Sequence, residues 1–286
     1  MNKYILIGHP LGHSMSPMIH EKLFAIKGRK ADYSLVEITP EELHLKTDFL
    51  RQFKGFNITI PHKQNIIPLL DEIGESAARY NSVNCVVNDG GKLIGYNTDC
   101  DGFIRSVEKY PMNGKVLLVG CGGVGRMMAI EAARSGADLT FGILPCDKER
   151  AAILTEEIHI MSPDTKIKTV LTSDLDDSFD VILNATPAGM YPKTETCAVS
   201  DSLIEKCSYV FDAVYNPVET TLMRKARSFG KTAKGGSAML VLQAVKAHEL
   251  WDNDFYTEDQ IDEIITAMEK QVTEQFPVTV NGGDHR

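Results

Sequence analysis

The alternation of apolar and polar positions divides the chain into short strand-like runs and longer helix-like stretches. Tyr4-Ile5-Leu6-Ile7 is a continuous apolar run stopped by Gly8, the mark of a buried strand. Ser16-Pro17 then opens a helix, with Ser16 as N-cap, Pro17 in the first turn and Ile19, Leu23 and Ile26 on the apolar face. A strand over 33–38, a helix over 40–53 capped by Thr39, a strand over 55–59 and a helix opening at Pro61 follow. Apolar runs over 83–88 and 92–96 flank Asp89-Gly90-Gly91, which predicts a β-hairpin. A helix from Asp101 leads out of this half.

The second half opens on Lys115-Val-Leu-Leu-Val-Gly120, a near-continuous apolar strand of the kind that parallel sheets bury on both faces. A glycine-rich turn and a helix over 124–135 come next, then a strand over 138–144 and a helix near 148–158. Strands over 181–184 and 209–213 and helices over 237–250 and 257–275 complete the chain, before a polar tail at 281–286 expected to be loose. The alternation of strand and helix predicts an α/β fold with a parallel sheet covered on both faces.

Composition narrows the function. The 286 residues carry 30 basic and 39 acidic side chains, a net charge of −9, which disfavours a binder of nucleic-acid backbones. No apolar run approaches a membrane span and no signal peptide precedes the first strand. The six cysteines are scattered and predict reduced thiols, hence a cytoplasmic protein. The eight histidines form no ligand cluster, so no metal is expected.

Candidate chemistry sits at the ends of these elements. Gly120-Cys121-Gly122-Gly123-Val124-Gly125 lies between a strand and a helix, the context in which glycines let a backbone approach a pyrophosphate and a helix N-terminus face it. A tight turn without ligand is the plainer reading. After the next strand, Asp147 offers a carboxylate for a ribose diol, and Lys148 and Arg150 offer charge for an extra phosphate; a solvated loop explains all three equally well. In the first half, Ser14 and Ser16 place two hydroxyls at a helix start, suited to a carboxylate or to plain capping. Lys63 is a proton donor or an ordinary surface lysine. Asp99 is its partner or the cap of the helix that follows, and Asn84 is a polar residue inside an apolar run that faces either backbone or ligand.

These residues together resemble the shikimate/quinate dehydrogenase family over nearly the whole chain. Ser14-Met15-Ser16-Pro17 is similar to its S-x-S-P motif, and Asn57-Ile58-Thr59-Ile60-Pro61-His62-Lys63 to its N-x-T-x-P-x-K segment. Val83-Asn84 and Gly95-Tyr96-Asn97-Thr98-Asp99 resemble its A-V-N-T and G-x-N-T-D segments. Tyr215-Asn216-Pro217, and Gly236 through Met239-Leu240 to Gln243, resemble its Y-N-P and G-x-x-M-L-x-x-Q segments. The resemblance implies a substrate domain over 1–101 and a Rossmann NAD(P)-binding domain over 102–236. The helices of 237–286 would return to the first domain, and a cleft would hold both ligands. It implies reversible reduction of 3-dehydroshikimate to shikimate in the chorismate pathway, by a monomer or homodimer. Ser14 and Ser16 would hold the substrate carboxylate with Tyr215 nearby, while Thr59, Asn84, Asp99 and Gln243 would hold ring hydroxyls. Lys63, supported by Asp99, would handle the proton. Gly120, Gly122, Gly123, Val124, Gly125, Asp147 and Gly236 would hold the cofactor, NAD or NADP.

Two departures bear on specificity. Ile143-Leu144-Pro145 stands where many NADP-dependent members carry N-R-T, so NAD, or use of both NAD and NADP, is expected, with Asp147 on the ribose. Ser82 and Cys85 flank Val83-Asn84 in place of Ala and Thr, which keeps quinate open as a substrate. A ligand sensor without turnover, or a folate-linked dehydrogenase, are the competing readings; the intact Lys63 and Asp99 disfavour the first, and the paired serines with Gln243 disfavour the second.

Overall fold

The computed structural model describes residues 1–12 and 14–277; the polar tail at 281–286 lies outside the described residues. The chain divides into two compact units, Met1–Ser106 with Met239–Met268, and Val107–Ala238 with the chain from Glu269.

The first unit runs β1 (Asn2–Gly8), α1 (Ser16–Ile26), β2 (Ala31–Glu37), a 3-10 turn (Leu43–Lys46), α2 (Thr47–Leu50), β3 (Gly55–Ile58) and α3 (His62–Asn65). It continues through β4 (Glu72–Ile73), α4 (Glu75–Tyr80), β5 (Cys85–Asp89), β6 (Lys92–Tyr96) and α5 (Asp99–Ser106). Its sheet has the order β2-β1-β3-β5-β6-β4. β1 is parallel to β2 and β3, whereas β5 is antiparallel to both β3 and β6. Period-two alternation along β1 sends Ile5 and Ile7 into one core with Phe56, Ile58, Leu50 and Val86. Tyr4 and Leu6 point to the opposite face, against Phe24, Tyr33, Ala247 and Trp251.

The last two residues belong to a helix over Gly236–Asp252, numbered α10 below. Trp251 donates its indole N–H to the Val86 carbonyl (2.9 Å) and packs against Gly55, where an added Cβ would overlap the ring. The next residue, Asp252, has a fully buried side chain that pairs with Lys54 and accepts the Tyr4 hydroxyl (2.7 Å). A buried carboxylate is tolerable only with such partners.

The second unit holds β7 (Lys115–Val119), α6 (Gly123–Arg134), β8 (Asp138–Ile143), α7 (Lys148–Met161), β9 (Ile167–Leu171) and β10 (Phe179–Asn184). α8 (Asp201–Glu205), β11 (Cys207–Asp212), α9 (Thr221–Ser228) and β12 (Thr232–Gly235) follow. All its strand pairs are parallel, in the order β12-β11-β10-β7-β8-β9. Counted from β7 this is the doubly wound dinucleotide-binding order 3-2-1-4-5-6, whose switch point lies between β7 and β10. Leu117, Val119, Ile182 and Val210 fill one face with Leu203 and Leu222. α10 and α11 (Glu258–Gln275) end the described chain.

The structure corrects several local expectations. Ser16 is the first residue of α1 rather than its cap; Met15 holds the cap position, and Ser14 Oγ accepts the Ser16 N–H (3.2 Å). The helix expected over 40–53 is a 3-10 turn followed by the single turn α2, two short pieces that both deliver leucines, Leu43 and Leu50, to the core. Thr39 caps nothing; its own N–H is taken by the Glu42 carboxylate (3.2 Å). Strands β4, β9 and β12 and helices α4, α8 and α9 have no counterpart in the hydrophobic pattern. β9 and β12 lie at sheet edges and β9 leaves residues such as Lys168 exposed, so no apolar run announces them.

Candidate active site

The sheet topology of the first unit gathers the polar candidates at one edge. β1 and β3 are parallel, so the loops after both leave the same edge, carrying Ser14 and Ser16 after β1 and Thr59 and Lys63 after β3. β5 is antiparallel to β3, so its start, where Asn84 sits, lies at that edge too. β6 ends there in turn, and α5 begins with Asp99.

The result is a connected cluster. Lys63 Nζ donates to Asp99 Oδ2 at 2.6 Å. Asn84 Nδ2 donates to the other oxygen, Asp99 Oδ1, at 2.8 Å, and Asn84 Oδ1 accepts the Thr98 N–H at 2.6 Å. Thr98 Oγ1 accepts from Asn84 Nδ2 (3.1 Å) and lies 3.4 Å from Gln243 Oε1, while Gln243 Nε2 bonds the Leu240 carbonyl within α10. Asn84, Thr98 and Gln243 are buried, but the Lys63 and Asp99 side chains are 29 % and 22 % exposed. The supporting shell is closed and the charged pair is open to a ligand. Ser14, Ser16 and Thr59 are half-buried at the same edge. Asp99 is not the helix cap. That role falls to Asn97, whose Oδ1 accepts the N–H groups of Asp99 (3.1 Å) and Cys100 (3.4 Å), and whose Nδ2 donates to the Ser82 carbonyl (3.0 Å).

Sequence reasoning gave no role to Asn97 and Thr98. The available signal was an Asn two residues before an acidic helix start. It also missed the polar layer beneath the site. There Tyr33 donates to Asn57 Oδ1 (2.8 Å), and Asn57 Nδ2 donates to the Asn84 carbonyl (3.2 Å). Beside Lys63, the buried His62 donates from Nε2 to the Ile38 carbonyl (2.6 Å).

In the second unit, β7 ends at Val119 and α6 starts at Gly123, with Gly122 as cap residue and no acidic side chain in the first turn. Gly120 turns the chain with φ +98°, and a Cβ on Gly125 would overlap the Gly120 carbonyl oxygen. Added Cβ atoms on Gly122 and Gly123 would meet nothing within 4 Å, so the cradle is open in front of the helix N-terminus. Val124 is exposed beside it. Such free N–H groups and the positive end of the helix suit a phosphate. Cys121 is buried in this loop, and burial pushes its thiol up to about 11, which keeps it a thiol.

Asp147 follows β8 in a short turn before α7 and pairs with Arg150 (3.2 Å), so a carboxylate and a guanidinium stand together there, with Lys148 exposed between them. Tyr215 is half-buried in the loop after β11, and burial raises its phenol. Gly236 opens α10, and its N–H bonds the Val214 carbonyl (3.0 Å). Among the described residues no group of His, Cys, Asp and Glu is arranged to hold a metal ion, and no helix is long and apolar enough to cross a membrane.

Residues 6–86 match the family model of the shikimate dehydrogenase substrate binding domain. The curated shikimate dehydrogenase (NADP(+)) of Caldanaerobacter subterraneus subsp. tengcongensis is 35 % identical over 268 residues, covering 91 % of this chain and 95 % of the relative. This chain belongs to the shikimate dehydrogenase family. Its structural likeness extends over both units. The shikimate 5-dehydrogenase of Thermus thermophilus, solved with NADP(H) and shikimate, superposes with a TM-score of 0.82 at 27 % identity, over 94 % of this chain and 100 % of the other. The Listeria monocytogenes enzyme, solved with shikimate and NAD, gives 0.84 at 29 %, over 93 % and 96 %. The fold is thus the α/β arrangement of this family. The NAD preference read from Ile143-Leu144-Pro145 gains no support from the curated relative, which is named for NADP(+).

Proposed function

We propose that this chain is a shikimate dehydrogenase that reversibly reduces 3-dehydroshikimate to shikimate, with NADP as cofactor. The observation that carries the reading is the partly exposed Lys63–Asp99 pair at 2.6 Å, backed by Asn84 on the second carboxylate oxygen. Ser14 and Ser16 bind the substrate carboxylate, with Tyr215 contributing there. Thr59, Asn84, Asp99 and Gln243 orient the ring hydroxyls. The cofactor supplies the hydride when bound. The Lys63 ammonium gives its proton to the ketone oxygen, and in the oxidative direction neutral Lys63 takes the hydroxyl proton. Asp99 keeps the ammonium aimed at one place, and its fixed orientation lowers the barrier beyond the proton transfer itself.

The open cradle of Gly120, Gly122, Gly123, Val124 and Gly125 fits a dinucleotide pyrophosphate. Arg150 and Lys148 serve an NADP phosphate. NAD is a second reading, for which Asp147, in the turn after β8, offers a carboxylate to a ribose diol. Quinate has no such support. Cys85 is wholly buried in the core, away from any ring hydroxyl. A Gly125→Ala variant is expected to lose dinucleotide affinity by about 5- to 150-fold, since relieving overlap with backbone costs roughly 1–3 kcal/mol. Titration with reduced dinucleotide reads this, and an unchanged Kd would remove the cradle from the site.

The testing assay is a two-by-two initial-rate measurement with shikimate or quinate and NAD⁺ or NADP⁺. The largest kcat/KM is expected for shikimate with NADP⁺. Silence in all four, from folded protein that still binds shikimate, would favour a sensor.

A further inference from the structure

The second unit contains a buried carboxylate that the chemistry above does not use. Asp212, the last residue of β11, is wholly buried, and burial pushes it up to about 6 despite its hydrogen bonds. Oδ1 accepts from Asn184 Nδ2 (2.9 Å) and from the Val214 N–H (3.1 Å), and Oδ2 accepts from the Thr220 hydroxyl (2.7 Å). Asn184 lies on β10, and Val214 and Thr220 lie on the segment between β11 and α9. Asn184 ends β10, and its Oδ1 accepts from the Thr186 N–H (3.0 Å) and hydroxyl (2.7 Å), fixing the start of the β10 loop. Val214 leads into Tyr215, and its carbonyl receives the Gly236 N–H (3.0 Å) at the end of β12. Gly236 packs so closely that a Cβ would overlap the Ala213 carbonyl oxygen. Thr220 caps α9 through the Met223 N–H. One carboxylate therefore ties the end of β10 to the loop that leaves β11 and to the start of α9, and the Val214–Gly236 backbone bond joins the end of β12 to that loop.

Those three strands lie on one side of the switch point, and β8, whose end meets the adenosine ribose in this topology, lies on the other. The loops tied by Asp212 thus face the nicotinamide half of a bound dinucleotide. They also hold polar capacity without a protein partner: among the described residues, the buried Asn216 Oδ1 and Ser237 Oγ have none. We propose that Asp212 is a positioning residue that sets the affinity of the nicotinamide half, and not of the adenosine half, by locking these loops in one arrangement. The inference rests on the dinucleotide reading above.

Asp212→Ala, Asp212→Asn and Thr220→Val are compared with the unaltered protein in two titrations, one with NADPH and one with the adenosine-half fragment 2′,5′-ADP (NADH and 5′-AMP if NAD is preferred). Asp212→Ala is expected to weaken NADPH by about tenfold or more, the cost of removing a charged acceptor from several buried donors, with the fragment unchanged. Asp212→Asn keeps an oxygen for Asn184 and Val214 and restores most of the affinity. Thr220→Val, which removes the bond to Asp212 Oδ2 and the α9 cap but leaves Asn184 and Val214 on Oδ1, falls between and carries the comparison if the alanine variant does not fold. Unchanged NADPH affinity, or equal weakening of both ligands, would overturn the proposal. Unaltered protein that binds neither ligand would instead overturn the dinucleotide reading on which it rests.

Discussion

Replacing Lys63 with alanine is expected to lower kcat for shikimate oxidation by about 10²–10⁴-fold, the usual contribution of a positioned acid–base group. The KM for shikimate should change little, because in the proposed assignment the ring hydroxyls and carboxylate keep their own partners in Thr59, Asn84, Gln243 and the two serines. The fold should survive. The Lys63 and Asp99 side chains are 29 % and 22 % exposed, a setting in which an ion pair contributes little stability. Asp99 also retains Asn84 on Oδ1 and the Asn97 cap on its backbone. Rates and a shikimate Kd measured on the same preparation check this. A kcat equal to that of the unaltered protein would remove Lys63 from the chemistry, whereas lost affinity with little change in kcat would make it a binding residue. A sensor would bind shikimate and have no turnover to lose.

Acid should destabilise the first unit well before its carboxylates titrate. His20 on α1 and His248 on α10 are buried, with His20 Nδ1 and His248 Nε2 3.0 Å apart. The Tyr256 hydroxyl donates to the Leu23 carbonyl (3.1 Å), so its contact with His248 Nδ1 (2.9 Å) is a donation from the ring. This leaves His248 Nε2 as the acceptor and His20 Nδ1 as the donor, with both rings neutral. Burial lowers both, His248 to about 3 and His20 further helped by its neighbour; Asp252 and Asp254 only partly oppose the effect at His248.

The unfolded chain takes up these protons near 6.5 and the folded one does not, so stability is intact above that pH and falls as pH drops from 6.5 toward 3. At about 1.4 kcal/mol per unit, the loss is about 2 kcal/mol per histidine by pH 5. Urea unfolding of the unaltered protein and of His248→Gln at pH 7.5, 6 and 5 checks this. The unaltered protein should lose stability faster, and parallel pH curves would contradict the assignment. Asp212 works in the opposite sense. Its raised value lets the folded state bind a proton first, so it adds stability as pH falls from about 6 toward 3.8. Being present in both proteins, it cancels in the difference.

The legible parts of the site were those written in neighbouring residues. The glycines between β7 and α6 announce a turn because backbone geometry there admits no side chain at Gly125. Lys63 and Asp99 stand at a helix start and a strand end, where a pair is one reading of the residues alone, and the resemblance favours it over a surface lysine and a helix cap. Their supports were not found, because Asn97, Thr98, Asn57 and Tyr33 look like ordinary polar or core positions until their partners are known. In the sequence Asp212 shows only as part of a strand. Asp147 shows the same limit in another form: its residue type suggests a ribose contact, and only the structure shows Arg150 at its side.

The sequence by itself determined the strand–helix alternation, the glycine loop and the residue types at the ends of β1, β3 and β6. Apolar periodicity, turn residues and caps act over a few neighbouring positions and can be read in order. Only the tertiary structure decided which of those ends share an edge. The Lys63–Asp99 pair spans 36 residues, Thr98–Gln243 145 and His20–His248 228. No local rule spans such separations. They depend on the antiparallel insertion of β5 beside β3 and on α10 packing its Trp251 over Gly55, so that buried polar groups meet partners that local sequence does not name.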